Sequence, residues 1–297
     1  MDDASPRAAT AYGGFDFKDF RAEITPPGIL VITFDAPDRM NALTQGMKRD
    51  LIELVTRAQM DDAVRVVLFT GTGRGFCAGD HMGGYAEHAP VSVQKIARGH
   101  TTGIGTANAL RVYSQGLNLA VRNLDKITIA AINGHAIQTG LSLALCCDFR
   151  IGSTAAKLGS ATLRFALLPD EGGQYLLVQH IGLAKALDFC LRKRIVSADE
   201  ALSLGLLNEV VEPDALLPAA MALAKELAEG PQVAMRMLKR SLYNAAESSF
   251  AVALDDIAVR TAVTDHHADA RDGGRSFREK RAPVFNTWLD GGGGDSG

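Results

Sequence analysis

The sequence predicts a layered α/β fold with parallel strand pairing, followed by a helical C-terminal part. Three observations carry this. Short apolar, β-rich runs alternate with helical patterns through the first half of the chain, at residues 29–34, 64–70 and 127–132. Residues 126–148 (KITIAAINGHAIQTGLSLALCCD) deliver one such run through a glycine-bearing turn onto a helix with no polar face. Beyond about residue 213 the strand signals stop and helices follow one another to the end.

Taken in order, residues 1–18 read as a flexible tail, and residues 291–297 (GGGGDSG) as another. The strand at 29–34 (ILVITF) is closed by Pro37 and Asp38. A helix begins near Thr44, with Met47, Leu51, Leu54, Val55 and Ala58 at helical spacing. The strand at 64–70 runs into a glycine-rich loop, GTGRGFCAG, over 71–79. Residues 81–105 read as irregular. Leu110, Tyr113, Leu117, Ala120 and Leu124 then mark one amphipathic helix. After the central stretch come a short strand at 149–152 and helices at 172–182 and 184–191. Ser197 and Glu200 form a capping box, and an extended piece occupies 206–211. Gly230-Pro231 separates helices at 216–229 and 233–247. The expected division is a core over 19–212 and a helical region over 213–290.

With 297 residues, 47% of them hydrophobic, the chain can bury a sizeable core. A net charge of −3 with scattered Lys and Arg offers no stripe for nucleic acid and no polybasic membrane patch. No apolar run approaches the roughly 20 residues of a membrane helix, and the N-terminus lacks a secretory h-region. Cys77, Cys146, Cys147 and Cys190 have no metal spacing and read as reduced thiols of a cytoplasmic protein. His266-His267 lacks a third ligand nearby, so no metal is expected.

The helix starting near Thr139 or Gly140 has free N–H groups in its first turn, suited to a developing negative charge. The same run is consistent with a core helix and nothing more. Gly73 to Ala78 matches G-x-G-x-x-A after a strand, but no helix and second strand follow at dinucleotide-binding spacing. Ser142 fails G-x-S-x-G, because Ala144 stands two residues on. Asp170 and Glu171 precede an apolar helix. Local sequence allows either helix capping or a carboxylate made basic by burial among Leu167, Leu168, Tyr175 and Leu176.

Four pieces in order resemble the crotonase, or enoyl-CoA hydratase/isomerase, superfamily. They are Pro37 with Asn41-Ala42-Leu43; Gly75-Phe76-Cys77-Ala78-Gly79-Asp80; Ile129 to Gly134 with Gly140 and Cys147-Asp148; and Phe277 to Phe285. The resemblance spans about residues 29–285. It implies a crotonase-like spiral core of ββα units, a helical C-terminal trimerisation region, and a homotrimer or dimer of trimers. It implies an acyl-CoA thioester as partner, coenzyme A entering as part of the substrate, and no metal or other cofactor. An enolate oxygen would rest on the backbone N–H groups of Asp80 and Thr139. Arg39, Ala78 and Lys280 would contact coenzyme A, and residues 81–124, with Met82, Tyr85 and Tyr113, would wall the acyl pocket.

The departures bear on the reaction. Ser142 and Thr162 stand where the family's hydratases carry their two glutamates. Thr139 replaces a usual glycine, which would strain a turn of positive φ. Asp80 places a carboxylate beside the hole and has to be neutralised or turned away. Glu171 matches a position where isomerases and dehalogenases of the family carry a carboxylate, and Asp170 resembles a Pro-Asp carboxylate of isomerase-like members. The expected activity is therefore enoyl-CoA double-bond isomerisation with Glu171 as base and Asp170 assisting. The alternatives are a hydratase with non-standard residues, a reaction with Glu171 as nucleophile, and an inactive acyl-CoA binder.

Overall fold

The computed structural model describes residues 10–14, 17–81 and 102–290. Residues 1–9 and 291–297 of the expected tails, and Met82 and Tyr85, lie outside the described residues.

A seven-stranded sheet runs in the order β1-β2-β3-β4-β6-β8-β11. Its strands are β1 (Thr10–Ala11), β2 (Phe20–Thr25), β3 (Ile29–Phe34), β4 (Val66–Gly71), β6 (Ile127–Ile132), β8 (Phe149–Ser153) and β11 (Glu209–Val211). From β3 to β11 each pair is parallel; β1, β2 and β3 are antiparallel. A second sheet, β10-β9-β7-β5, is made of three-residue strands. These are β5 (Gly75–Cys77), β7 (His135–Ile137), β9 (Lys157–Gly159) and β10 (Ile195–Ser197).

The chain spirals between the two sheets. β4, β6 and β8 each lie in the large sheet and are followed, after a short turn, by β5, β7 and β9 in the small one. β7 runs into α4 (Thr139–Cys146), and β9 leads through a 3₁₀ turn to α5 (Gly173–Leu191). This is a spiral of ββα units, as the resemblance implied. The remaining helices of the core are α1 (Gln45–Met60), α2 (Gly103–Val112), α3 (Ser114–Asn123) and α6 (Ala198–Leu204). The C-terminal part holds α7 (Leu216–Glu229), α8 (Gln232–Ala245), α9 (Phe250–Asp265) and α10 (Ala268–Glu279).

The parallel strands are apolar on both faces because both are covered. Val66, Leu68, Ile129 and Ala131 pack against Ala220, Ala224 and Ala228 of α7. The four-residue spacing of those alanines gives α7 a smooth face that seats close to the sheet. Val67, Phe69, Ala130 and Ile132 face the main core between the layers.

Several expectations change in detail. Part of the stretch expected as a tail belongs to the fold: Thr10 and Ala11 pair with β2, and the buried Tyr12 donates its hydroxyl to Asp61 at 2.8 Å. Strand β2, unread in the sequence, alternates only partly and follows no turn signal of its own. The single helix expected over 110–124 is two, parted at Tyr113, whose ψ of −69° with φ of −100° bends the chain. The loop over 71–79 contains β5. Gly182, at φ 75° and ψ 161°, breaks α5 where the sequence separated two helices.

Candidate active site

Three loops converge at the N-terminus of α4. The first is pinned by Asn41, fully buried, whose side chain accepts from Ala36 N at 2.8 Å and donates to the Gly75 carbonyl at 2.7 Å and Thr72 carbonyl at 3.0 Å. Residues 40–43 then run beside 78–81: Ala78 N donates to Met40 O, Leu43 N to Gly79 O and His81 N to Leu43 O. Gly79, at φ 108°, turns the chain so that Asp80 follows directly.

The second element is α4 itself. Gly140 lies so close to the first loop that a Cβ there would sit 2.0 Å from the Cys77 carbonyl oxygen. Only glycine permits this approach, and it sets Thr139 against Asp80. Thr139 opens α4, so its N–H has no acceptor within the helix and lies at the positive end of the helix dipole. The expected strain at Thr139 falls one residue earlier, on Gln138, at φ 51° and ψ −105°. The turn needs its unusual conformation before the helix starts, which leaves a β-branched residue tolerable at 139.

The third element is the segment before α5. Glu171 is 4% exposed. Its Oε1 accepts from the Thr139 hydroxyl at 2.7 Å, and its Oε2 from Gln138 Nε2 at 3.0 Å and, at the long limit of 3.5 Å, from the Ser142 hydroxyl. Its backbone carbonyl accepts from Asn118 Nδ2 of α3 at 2.8 Å. Glu171 therefore does not cap its helix; the N-cap is Gly172, in a left-handed conformation. Asp170, half-buried, receives Gln115 Nε2 on its backbone carbonyl at 3.0 Å. Burial, then the negative charge of Glu171, pushes the Asp170 carboxyl up to about 7.

Asp80 is neutralised. Lys48 of α1, fully buried, places its Nζ 2.6 Å from Asp80 Oδ2 and 2.7 Å from the Ser114 hydroxyl. Sequence reading missed Lys48, which sits next to Met47 of the apolar stripe and looks like that helix's polar flank. Gln138 was missed too. Its Oε1 accepts from Ser160 at 3.2 Å and Thr162 at 3.3 Å while its amide holds Glu171. So Ser142 and Thr162, which the resemblance sets where hydratases carry glutamates, both belong to the hydrogen-bond network around Glu171.

Asp80, Thr139, Asp170 and Glu171 are thus brought together. Arg39 and Ala78 lie on adjoining segments of the first loop; the Arg39 guanidinium pairs with Asp19 at 2.7 Å and caps the Ala42 carbonyl at 3.2 Å. Lys280 stands apart, exposed at the C-cap of α10, which packs on α9. Tyr113 is buried between α2 and α3. A cavity of about 490 Å³ opens beside Glu171 and Gly172, lined in part by Gln115, Asn118, Leu119 and Tyr175. Among the described residues no group of three or more His, Cys, Asp and Glu side chains is arranged to hold a metal ion. No described helix is long and apolar enough to cross a membrane.

The sequence profile of the family described as enoyl-CoA hydratase/isomerase matches residues 25–288. The chain belongs to this family. Among its enoyl-CoA hydratase/isomerase relatives, the 1,2-epoxyphenylacetyl-CoA isomerase of Escherichia coli K12 is 31% identical over 268 residues, covering 87% of this chain and 95% of that protein. The (E)-benzylidenesuccinyl-CoA hydratase of Thauera aromatica is 31% identical over 258 residues, covering 86% and 95%. A crystal structure of an enoyl-CoA hydratase from Bacillus anthracis superposes with a TM-score of 0.81 at 27% identity, over 90% of this chain and 99% of that one. Within an enoyl-CoA hydratase/isomerase fold, the contacts around Asp148 are structural. Its carboxylate accepts from Thr128 N, Lys239 Nζ and the Tyr243 hydroxyl at 2.6–2.8 Å, tying α8 to β6.

Proposed function

We propose that this acyl-CoA enzyme shifts a double bond, with Glu171 as its base. The observation that carries the reading is the position of Glu171. It is a buried carboxylate hydrogen-bonded to Thr139, the residue that opens α4, while Ser142 and Thr162 leave no carboxylate where hydration would need its pair.

The thioester oxygen is received by the N–H groups of Asp80 and Thr139, where the α4 dipole adds to the hydrogen bonds. Each such donor contributes about 3 kcal/mol to holding an enolate oxygen. Glu171 removes a proton from C2 of a 3-enoyl-CoA and returns it at C4, so one base serves both halves of the 1,3-transfer. Arg39 and Ala78, on the loop that carries Asp80, meet coenzyme A, with Lys280 a weaker candidate for its phosphates. The substrate brings that coenzyme, and the reaction needs no other cofactor. Phe250 and Val259 of α9, 79% and 68% exposed, fit burial in a homotrimer or dimer of trimers.

The test is turnover of aliphatic and aryl 3-enoyl-CoA thioesters, read as growth of the conjugated thioester absorbance. Isomerisation is expected, and Glu171→Gln should lower kcat by roughly 10²–10⁴-fold. Full activity in Glu171→Gln overturns the assignment. Hydration remains the second reading, because Asp170 and Glu171 are two adjacent carboxyls and the Thauera aromatica relative is named a hydratase. Loss of crotonyl-CoA absorbance without isomerisation would establish it instead.

A further inference from the structure

The hydroxyl of Thr139 has one proton and two carboxylate neighbours. Its Oγ1 lies 2.6 Å from Asp80 Oδ1 and 2.7 Å from Glu171 Oε1, both hydrogen-bond distances. One O–H donates once. If both carboxylates were ionised, one arm would be an oxygen–oxygen contact with no hydrogen between the atoms. Both arms become hydrogen bonds only when the assembly holds one more proton, so that one acid donates to Thr139 while Thr139 donates to the other.

Lys48 decides the direction. Its ammonium, 2.6 Å from Asp80 Oδ2 and with no exposure of its own, favours Asp80 as the ionised end. The complete chain is then Lys48 ammonium, Asp80 carboxylate, Thr139 hydroxyl, Glu171 carboxylic acid, with Glu171 donating to Thr139 and Thr139 to Asp80. The other oxygen of Glu171 faces the Gln138 amide, a fitting partner for the carbonyl of an acid.

We propose that Thr139 is a positioning residue for proton transfer, closing an Asp80–Thr139–Glu171 relay that holds the proton taken from substrate until it is returned. The proposal rests on Glu171 as the base. In the forward half-step Glu171 carboxylate takes the C2 proton as the C–H pair moves into the enolate. The Thr139 hydroxyl swings from Glu171 to Asp80, and the new Glu171 O–H donates to Thr139. The second half-step reverses this at C4. No proton leaves the relay, and no oxidant or further reactant is needed. The protonated state has two hydrogen bonds through Thr139 where the ionised state has one, so the relay favours the intermediate.

Among the described residues, the other ionisable groups near the relay are His81, Asp170 and Cys77. Asp170 adjoins Glu171 on the same loop, and its carboxyl is raised toward neutrality. Cys77 of β5 is fully buried, and its thiol is pushed up to about 12, so it stays neutral. α3 faces the site with Ser114, Gln115 and Asn118, which do not titrate. α4 contributes Thr139 and Ser142, also non-titrating.

The experiment is an infrared pH titration of the protonated-carboxyl band in the free, full-length protein and in Thr139→Val, Thr139→Ser and Glu171→Gln. Wild type should show a band that Glu171→Gln removes. Thr139→Val should move its midpoint down by about one pH unit, the roughly tenfold effect of one hydrogen bond. Thr139→Ser, which keeps the hydroxyl, should restore it. With 3-enoyl-CoA, Thr139→Val should lose kcat about tenfold with KM little changed, since the backbone N–H at 139 remains. An unmoved midpoint in Thr139→Val, or failure of Thr139→Ser to restore it, overturns the relay. Because the titration uses no substrate, absence of isomerase turnover would overturn the proposed reaction and leave the relay standing on the infrared result.

Discussion

Lys48→Met isolates the charge that makes Asp80 tolerable at the site. The ammonium is fully buried, and its two partners are Asp80 at 2.6 Å and Ser114 at 2.7 Å. Methionine keeps an unbranched side chain, one heavy atom shorter, and removes the charge and its hydrogen bonds. Removing one partner of a buried ion pair costs about 3–5 kcal/mol, because the other charge is left uncompensated. The Asp80 side chain keeps 16% exposure, so the low end applies, about 3 kcal/mol. At roughly 2 °C per kcal/mol for a chain of this size, the melting midpoint should fall by about 6 °C at neutral pH. The assay is thermal unfolding of wild type, Lys48→Met, Asp80→Asn and the double variant at one protein concentration. The double variant should recover to within about 1 kcal/mol of wild type, since no buried carboxylate then lacks a cation. A fall of under about 2 °C, or a double variant no better than the single, refutes the reasoning.

Gly140→Ala should disrupt the site more than the fold. Its Cβ would meet the Cys77 carbonyl oxygen at 2.0 Å, forcing Thr139 away from Asp80. A displacement of about 1 Å there should cost on the order of 100-fold in kcat, measured against thermal midpoint as a control. Asn41→Ala removes three hydrogen bonds from a fully buried position and should cost about 2–4 kcal/mol by urea unfolding. The Asp170 carboxyl, raised to about 7 in the folded protein, contributes stability that is present below about pH 4 and lost as pH rises through 7. Its partial exposure screens this to about 1–2 kcal/mol. Urea midpoints at pH 5 and pH 7.5 should therefore diverge more in wild type than in Asp170→Asn.

The central strands β3, β4 and β6 of the large sheet were legible because two-sided burial writes them as unbroken apolar runs, such as ILVITF and ITIAAI. The three-residue strands β5, β7 and β9 were not, because GFC, HAI and KLG become strands through their neighbours rather than their side chains. The start of α4 at Thr139 followed from local pattern, which left open whether it binds an anion or only packs in the core. The roles proposed for Asp80 and Glu171 rest on the family resemblance. Lys48 was illegible for a further reason: its burial depends on a carboxylate 32 positions away that no periodicity connects to it.

The site lies where the ββα path requires it. β5 and β7 are parallel neighbours in the small sheet, so the turns leaving them, at Asp80 and at Thr139, emerge side by side although 59 residues separate them. β9 is the next strand over, and the segment leaving it carries Glu171 back to the same end. Parallel strands thus bring three successive strand ends to one edge, and each carries one residue of the proposed chemistry. The hydratase positions belong to this same geometry. Ser142 is one turn inside α4 and Thr162 just beyond β9, and both now hydrogen-bond to Glu171 or to the Gln138 that holds it. Hydroxyls at these two positions keep the site polar. They turn donors toward Glu171, in keeping with the one-base transfer proposed above.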